Sequence, residues 1–188
     1  MTKARLAAAS TLLAALGVLA ATAVGSPTEK PVARTYVTHP PAPASQTRAQ
    51  ADAKTAGCMS CHTATDQHTM HRNPAVILGC TDCHGGDATV KKPEGAKAES
   101  AGYKDALARA HVLPRYPKAW NWPVSANPEI SYTLLNREAP EYVRFVNPGD
   151  LRIAREACGA CHLSIVQSSE RSLMATSTML WGGAASNN

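Results

Sequence analysis

The hydrophobic pattern of this chain changes character twice. A largely apolar stretch runs from Leu6 to Val24 behind Lys3 and Arg5, and Ala21-Thr22-Ala23 leads into a Gly, Ser and Pro cluster. A charged start, an apolar middle and a small-residue cleavage site predict a secretory signal peptide over residues 1–25. The stretch is also long enough to cross a bilayer, so an uncleaved N-terminal anchor, with membrane association through it, is the alternative. Either way the remainder is expected to be periplasmic or exported to the cell envelope, and no second apolar run of membrane length follows.

Residues 26–55 are a Pro/Ala-rich stretch holding Pro27, Pro31, Pro40, Pro41 and Pro43 with few large apolar side chains. Such a composition buries too little surface to order itself and predicts a flexible tether, with His39 solvated in it.

Residues 56–188 read as one domain of helices and irregular loops, with no convincing two-residue alternation. A helix is expected over 101–112, stopped by Pro114. The stretch from Pro114 to Pro128, with Trp120 and Trp122, is irregular and suits the covering of a flat apolar group. Asn147-Pro148-Gly149 precedes a helix with Asp150 as its cap, and a last helix is expected over 164–180, ended by Gly182-Gly183. The predicted fold class is mainly α with extensive irregular loops.

Composition sharpens this picture, because one Phe and three Trp are a small aromatic payload for 188 residues. All six cysteines lie in three Cys-x-x-Cys-His motifs: Cys58 and Cys61 with His62, Cys80 and Cys83 with His84, Cys158 and Cys161 with His162. Two thiols at this spacing reach the two vinyl groups of one haem, and the adjacent histidine lies under the iron. The motifs therefore predict three haem c groups with His62, His84 and His162 as proximal ligands. The macrocycles would then supply the missing core, giving a haem-cored domain largely unstructured without its cofactor. Zinc knuckles and disulfides are the rival uses of six cysteines. A zinc ribbon pairs two knuckles per metal and leaves the third over, and disulfides give no reason for a histidine after every second cysteine.

Four histidines remain for the sixth positions. His68 and His71 are one helical turn apart, so they share a face but cannot both bind one iron; His71, between two attachment sites, is the better candidate. His111, near the end of the helix expected at 101–112, is the candidate in the second half. Methionine also ligates haem iron. Met174 and Met179 do not share a helical face and are expected to pack against apolar neighbours, while Met59 and Met70 are weaker candidates.

The formal net charge of +5 suggests nucleic acid only until the cofactors are counted. Losing Lys3 and Arg5 and adding six propionates against three ferric centres leaves roughly zero when oxidised and about −3 when reduced. No nucleic-acid partner is expected.

The run from Cys58 to Asp87 brings together the first motif, Met70-His71 and Gly79-Cys-Thr-Asp-Cys-His-Gly-Gly86. In this the chain resembles the multihaem c-type cytochromes of bacterial respiratory electron transfer. Chains of that family are often longer and carry more haems, so a piece of a larger cytochrome is among the expectations. The resemblance implies electron transfer between redox partner proteins, such as a quinol dehydrogenase, other cytochromes or a terminal reductase. It implies close packing of the first two haems, whose motifs start 22 residues apart. The alternative is a multihaem reductase of a small inorganic substrate with one open iron. The iron over His162, with the fewest spare histidines nearby in sequence, is the one expected to be open in that case. No cluster of Lys, Tyr or Arg beside a motif signals substrate chemistry, which favours the carrier.

Overall fold

The structure, a computed structural model, describes residues 29–63, 71, 73–120 and 132–176. The chain divides into two units, Met1–Pro31 and Val32–Asn188, and the second carries all three motifs. Its regular elements among the described residues are helical: α1 Arg48–Ala53, α2 Cys80–His84, α3 Ala101–Ala110, α4 Pro140–Val146, α5 Ala154–Glu170 and α6 Leu173–Thr176, with short 3-10 turns at Cys58–Ser60, Pro117–Ala119 and Tyr132–Arg137. The fold is mainly α, as expected. No helix among the described residues is long and apolar enough to cross a membrane.

The stretch read as a flexible tether is extended, but it is not free. The Val32 amide donates to the Arg115 carbonyl (2.7 Å), Arg34 Nε to the Pro114 carbonyl (3.1 Å) and the Tyr36 hydroxyl to the Leu113 carbonyl (2.8 Å). Residues 32, 34 and 36 fall on one side of an extended chain, and residues 113–115, lying outside any helix, offer carbonyls that need donors. A composition with little surface to bury can still dock through its backbone on another segment. The same stretch ends in α1, whose Thr47 and Gln50 form a capping box: Thr47 Oγ1 accepts from the Gln50 amide, and Gln50 Oε1 accepts from the Thr47 amide.

The polypeptide core is small and gathers around α4. Trp120, Leu135, Tyr142, Val143 and Ile153 pack together, with Trp120 meeting Tyr142 edge-on at 5.2 Å between ring centres. Trp120 is thus a core residue here, and its indole Nε1 donates to buried Glu138 (2.8 Å). Glu138 also accepts from the amides of Arg115 and Tyr116, so its carboxylate is satisfied although buried. Trp122 and the remainder of the stretch expected to cover a flat group lie outside the described residues.

Two helix boundaries differ from expectation. Helix α3, capped by Ser100 (Tyr103 amide to Ser100 Oγ, 3.3 Å), stops at Ala110, before His111. Asp150 does not cap α5 with its side chain; that carboxylate is held by the Arg152 amide and guanidinium, while its carbonyl accepts from Ile153 and Ala154. Helix α5 runs through the third motif and kinks at His162 (φ −120°, ψ 25°), so its second half starts near the expected Ser164. Helix α6 follows the turn at Arg171–Ser172, and the end of the expected helix lies beyond the described residues.

Candidate functional site

The first two motifs interlock through glycines. The Gly57 amide donates to the Ala88 carbonyl (2.7 Å), and a Cβ at Gly57 would stand 2.3 Å from the carbonyl oxygens of both Ala88 and Val90, which follow the second motif. A Cβ at Gly79 would stand 2.5 Å from the Ala51 carbonyl oxygen in α1. These close approaches bring the Cys58 and Cys80 thiols within hydrogen-bonding reach. That bond, and then burial, hold the Cys58 thiol well above its usual range. Burial, followed by the charge of Cys158, likewise raises Cys83. The second motif therefore neighbours both of the others, and its helix α2 packs against α4 and α5.

Asp82, inside the second motif, is buried and accepts from Lys54 Nζ (2.5 Å), Gln46 Nε2 (2.6 Å) and the Gly79 amide (2.8 Å). The last of these caps α2 from within. Arg144 on α4 is 4% exposed and donates to four carbonyls: Asp82 (2.8 Å), Cys83 (3.1 Å), His39 (2.8 Å) and Pro40 (3.1 Å). One guanidinium thus ties the second motif to the extended N-terminal stretch. Sequence reasoning missed Arg144, because a lone arginine in an amphipathic helix carries no mark of burial.

The motif histidines are set against other imidazoles. His62 and His111 have ring centres 6.1 Å apart with planes at 56°; His162 and His71 are also 6.1 Å apart, with planes at 13°. An imidazole nitrogen bonds a first-row metal at about 2.0–2.1 Å and lies roughly 1.1 Å from its ring centre, so two rings trans across one metal have centres about 6.3 Å apart. Both pairs stand near that separation. Burial, and then the neighbouring His62, lower His111 to about 4, which keeps its imidazole neutral near pH 7.

His84 differs. Its Nδ1 lies 2.7 Å from the Phe145 carbonyl, an acceptor, so Nδ1 donates there and Nε2 is the atom that could hold a metal. Among the described residues no second imidazole stands at 6 Å from it; the Phe145 ring meets it edge-on. The alternative with one open iron singled out the haem at His162; among the described residues His71 lies opposite His162, and it is His84 that has no paired ring. Sequence distance is a poor guide here because α5 folds back onto the earlier motifs.

His68 and Met70 lie outside the described residues, and so does Met179. Met59 is exposed. His39, read as solvated, is half-buried and lines a cavity of about 180 Å³ together with His84. Among the described residues no group of three or more His, Cys, Asp or Glu gathers as it would round a bare metal ion. No protein-family model matches the chain, and no curated protein or solved structure is significantly similar to it.

Proposed function

We propose that this chain is an exported electron-transfer protein holding three haem c groups, attached at Cys58 and Cys61, Cys80 and Cys83, and Cys158 and Cys161. The observation that carries the reading is the pairing of His62 with His111 and of His162 with His71, each at 6.1 Å. Two motif histidines opposed at one distance by imidazoles distant in sequence support the reading, since that distance is close to the span across one iron. The rival zinc reading asks for four converging ligands, an arrangement absent from the described residues.

Bound haem supplies an iron that changes oxidation state by one electron. The chain's part would be to hold such an iron between two imidazoles, so that little would move on reduction and no site would open to water or substrate. The nearness of Cys58 to Cys80 and of Cys83 to Cys158 favours a relay in which the haem at the second motif lies between the other two. Its partners are redox proteins of the envelope, one donating and one accepting single electrons.

The test is direct. Denatured protein should give a c-type pyridine haemochrome at three haems per chain, with an intact mass raised to match. Bound zinc, or three disulfides and no haem, would refute the reading. The second reading, a reductase with one open iron, draws on the ring of His84, which has no paired imidazole among the described residues, and stoichiometric carbon monoxide binding to one reduced haem in three would favour it.

A further inference from the structure

The seven histidines divide unevenly: two pairs take His62, His111, His71 and His162, leaving His84 with His39 and His68 as the remaining imidazoles of the chain. We propose that His39 is the sixth ligand of the iron carried by His84. The inference rests on the haem reading above and extends it to an imidazole supplied from outside the motif-bearing helices.

Three observations carry it. The first is the Arg144 clamp, which binds the carbonyls of His39 and Pro40 and, through the same guanidinium, those of Asp82 and Cys83 immediately before His84. A rigid planar donor buried between two backbone segments fixes their separation, so His39 is held at a set place relative to the second motif. The second is the shared cavity: His39 and His84 line it together with apolar Val37, Val112 and Pro140, and with Glu141, Arg144 and Glu156. Val37 is 74% exposed although it sits beside the pinned His39, an arrangement that makes sense if an apolar macrocycle covers it. The third is Gly85. Its φ of +66° suits glycine, and a Cβ there would come 3.3 Å from His39 Cδ2, so the His39 ring rests where the residue after His84 has no side chain. His84 already spends Nδ1 on Phe145, so its Nε2 and the His39 imidazole, whose rings do not stand in the 6.1 Å pairing of the other two, would close on one iron from opposite sides.

The consequence is functional. With His39 in place all three irons are six-coordinate and the protein is a carrier; without it the iron over His84 is open and the protein has a substrate site.

The test is the electronic spectrum and EPR of the full chain with His39→Ala and His39→Met. Wild-type protein should be wholly low-spin and bind little carbon monoxide. In His39→Ala the haem count should stay at three while one haem becomes high-spin and, once reduced, binds carbon monoxide; added imidazole should restore the low-spin spectrum. His39→Met should stay low-spin with one potential raised, since thioether sulfur favours the ferrous state. Each of these outcomes supports ligation. A low-spin spectrum unchanged in His39→Ala would overturn the proposal and leave His68 to be tested, as would a wild-type high-spin haem that His39→Ala does not alter. Should His39→Ala lose haem, a normal haem count with a shifted potential in His39→Met still supports it, and loss in both variants overturns it in favour of a purely structural role. Failure of the haem reading shows separately, as wild-type protein lacking three haems by mass.

Discussion

The imidazoles of His71 and His162 lie nearly parallel, at 13°, with centres 6.1 Å apart, although most of the domain separates them in sequence. The pair His62 and His111 holds the same distance at 56°. Parallel axial planes split the two π-type d orbitals of a low-spin ferric iron more than crossed planes do, so the two sites should give different EPR signals: a rhombic one for His71 with His162 and a more anisotropic one for His62 with His111. His71→Ala should abolish the rhombic signal alone, and His111→Ala the other, each converting one haem to high spin with the haem count unchanged. Loss of the same signal in both variants would refute the pairing.

The candidate site was legible in the sequence where its chemistry is local. Cys-x-x-Cys-His is a contiguous motif, and the end of a helix such as α3 is announced by a following proline. What was not legible depends on contacts across long separations. His39 sits among prolines, a composition that signals disorder, but it is held by Arg144, 105 residues away along the chain. The docking of residues 32–36 depends on carbonyls at 113–115 that are available only because the chain leaves α3 there without entering another helix. No periodicity records such matches. Trp120 was misread for a related reason: an aromatic beside prolines covers whatever apolar surface lies nearest, and that surface is Tyr142.

Arg144→Lys tests the clamp. An ammonium offers three donors from a single point, whereas the four carbonyls around Arg144 are spread over two segments and match a planar fork. At least one buried carbonyl would lose its donor, a cost of about 3 kcal/mol. The denaturation midpoint of Arg144→Lys should fall accordingly, and the low-spin signal of the haem at the second motif should weaken before the others. An unchanged midpoint would show that the clamp contributes little.

Two glycine substitutions should act in opposite directions. Gly57 has φ −71°, which any residue adopts, so Gly57→Ala suffers only from the 2.3 Å approach of its Cβ to two backbone oxygens. Backbone of this kind yields only by parting the first two motifs, and a loss of about 3 kcal/mol is expected. Gly102 lies within α3, and its nearest neighbour would stand 3.7 Å from the new Cβ. Gly102→Ala should stabilise by about 0.5–1 kcal/mol through helix propensity. Thermal unfolding of the two variants measures both shifts, and equal midpoints would contradict the steric argument.

Asp82 gives the fold a dependence on pH whose sign can be worked out. Burial opposes its charge, but the Lys54 ammonium, the Gly79 amide and the Gln46 amide outweigh burial and hold the carboxyl below the usual carboxylate range. A carboxyl whose folded pKa lies below its unfolded value, about 3.9, contributes stability that is complete above that value and is lost as the pH falls through the folded pKa. Asp87, held by Thr89, and Asp150, held by Arg152, are lowered in the same direction, so acid should weaken the domain progressively below about pH 4. Asp82→Asn keeps the shape of the residue but removes the charge that Lys54 meets, and it should cost about 2 kcal/mol at neutral pH. Its loss of stability on acidification should be smaller than that of the parent protein, because the charge that acid would remove is already gone, while Asp87 and Asp150 still titrate. Parallel acid limbs in parent and variant would show that Asp82 is not held charged by its partners, and the link it makes between α1 and the second motif would then rest on packing alone.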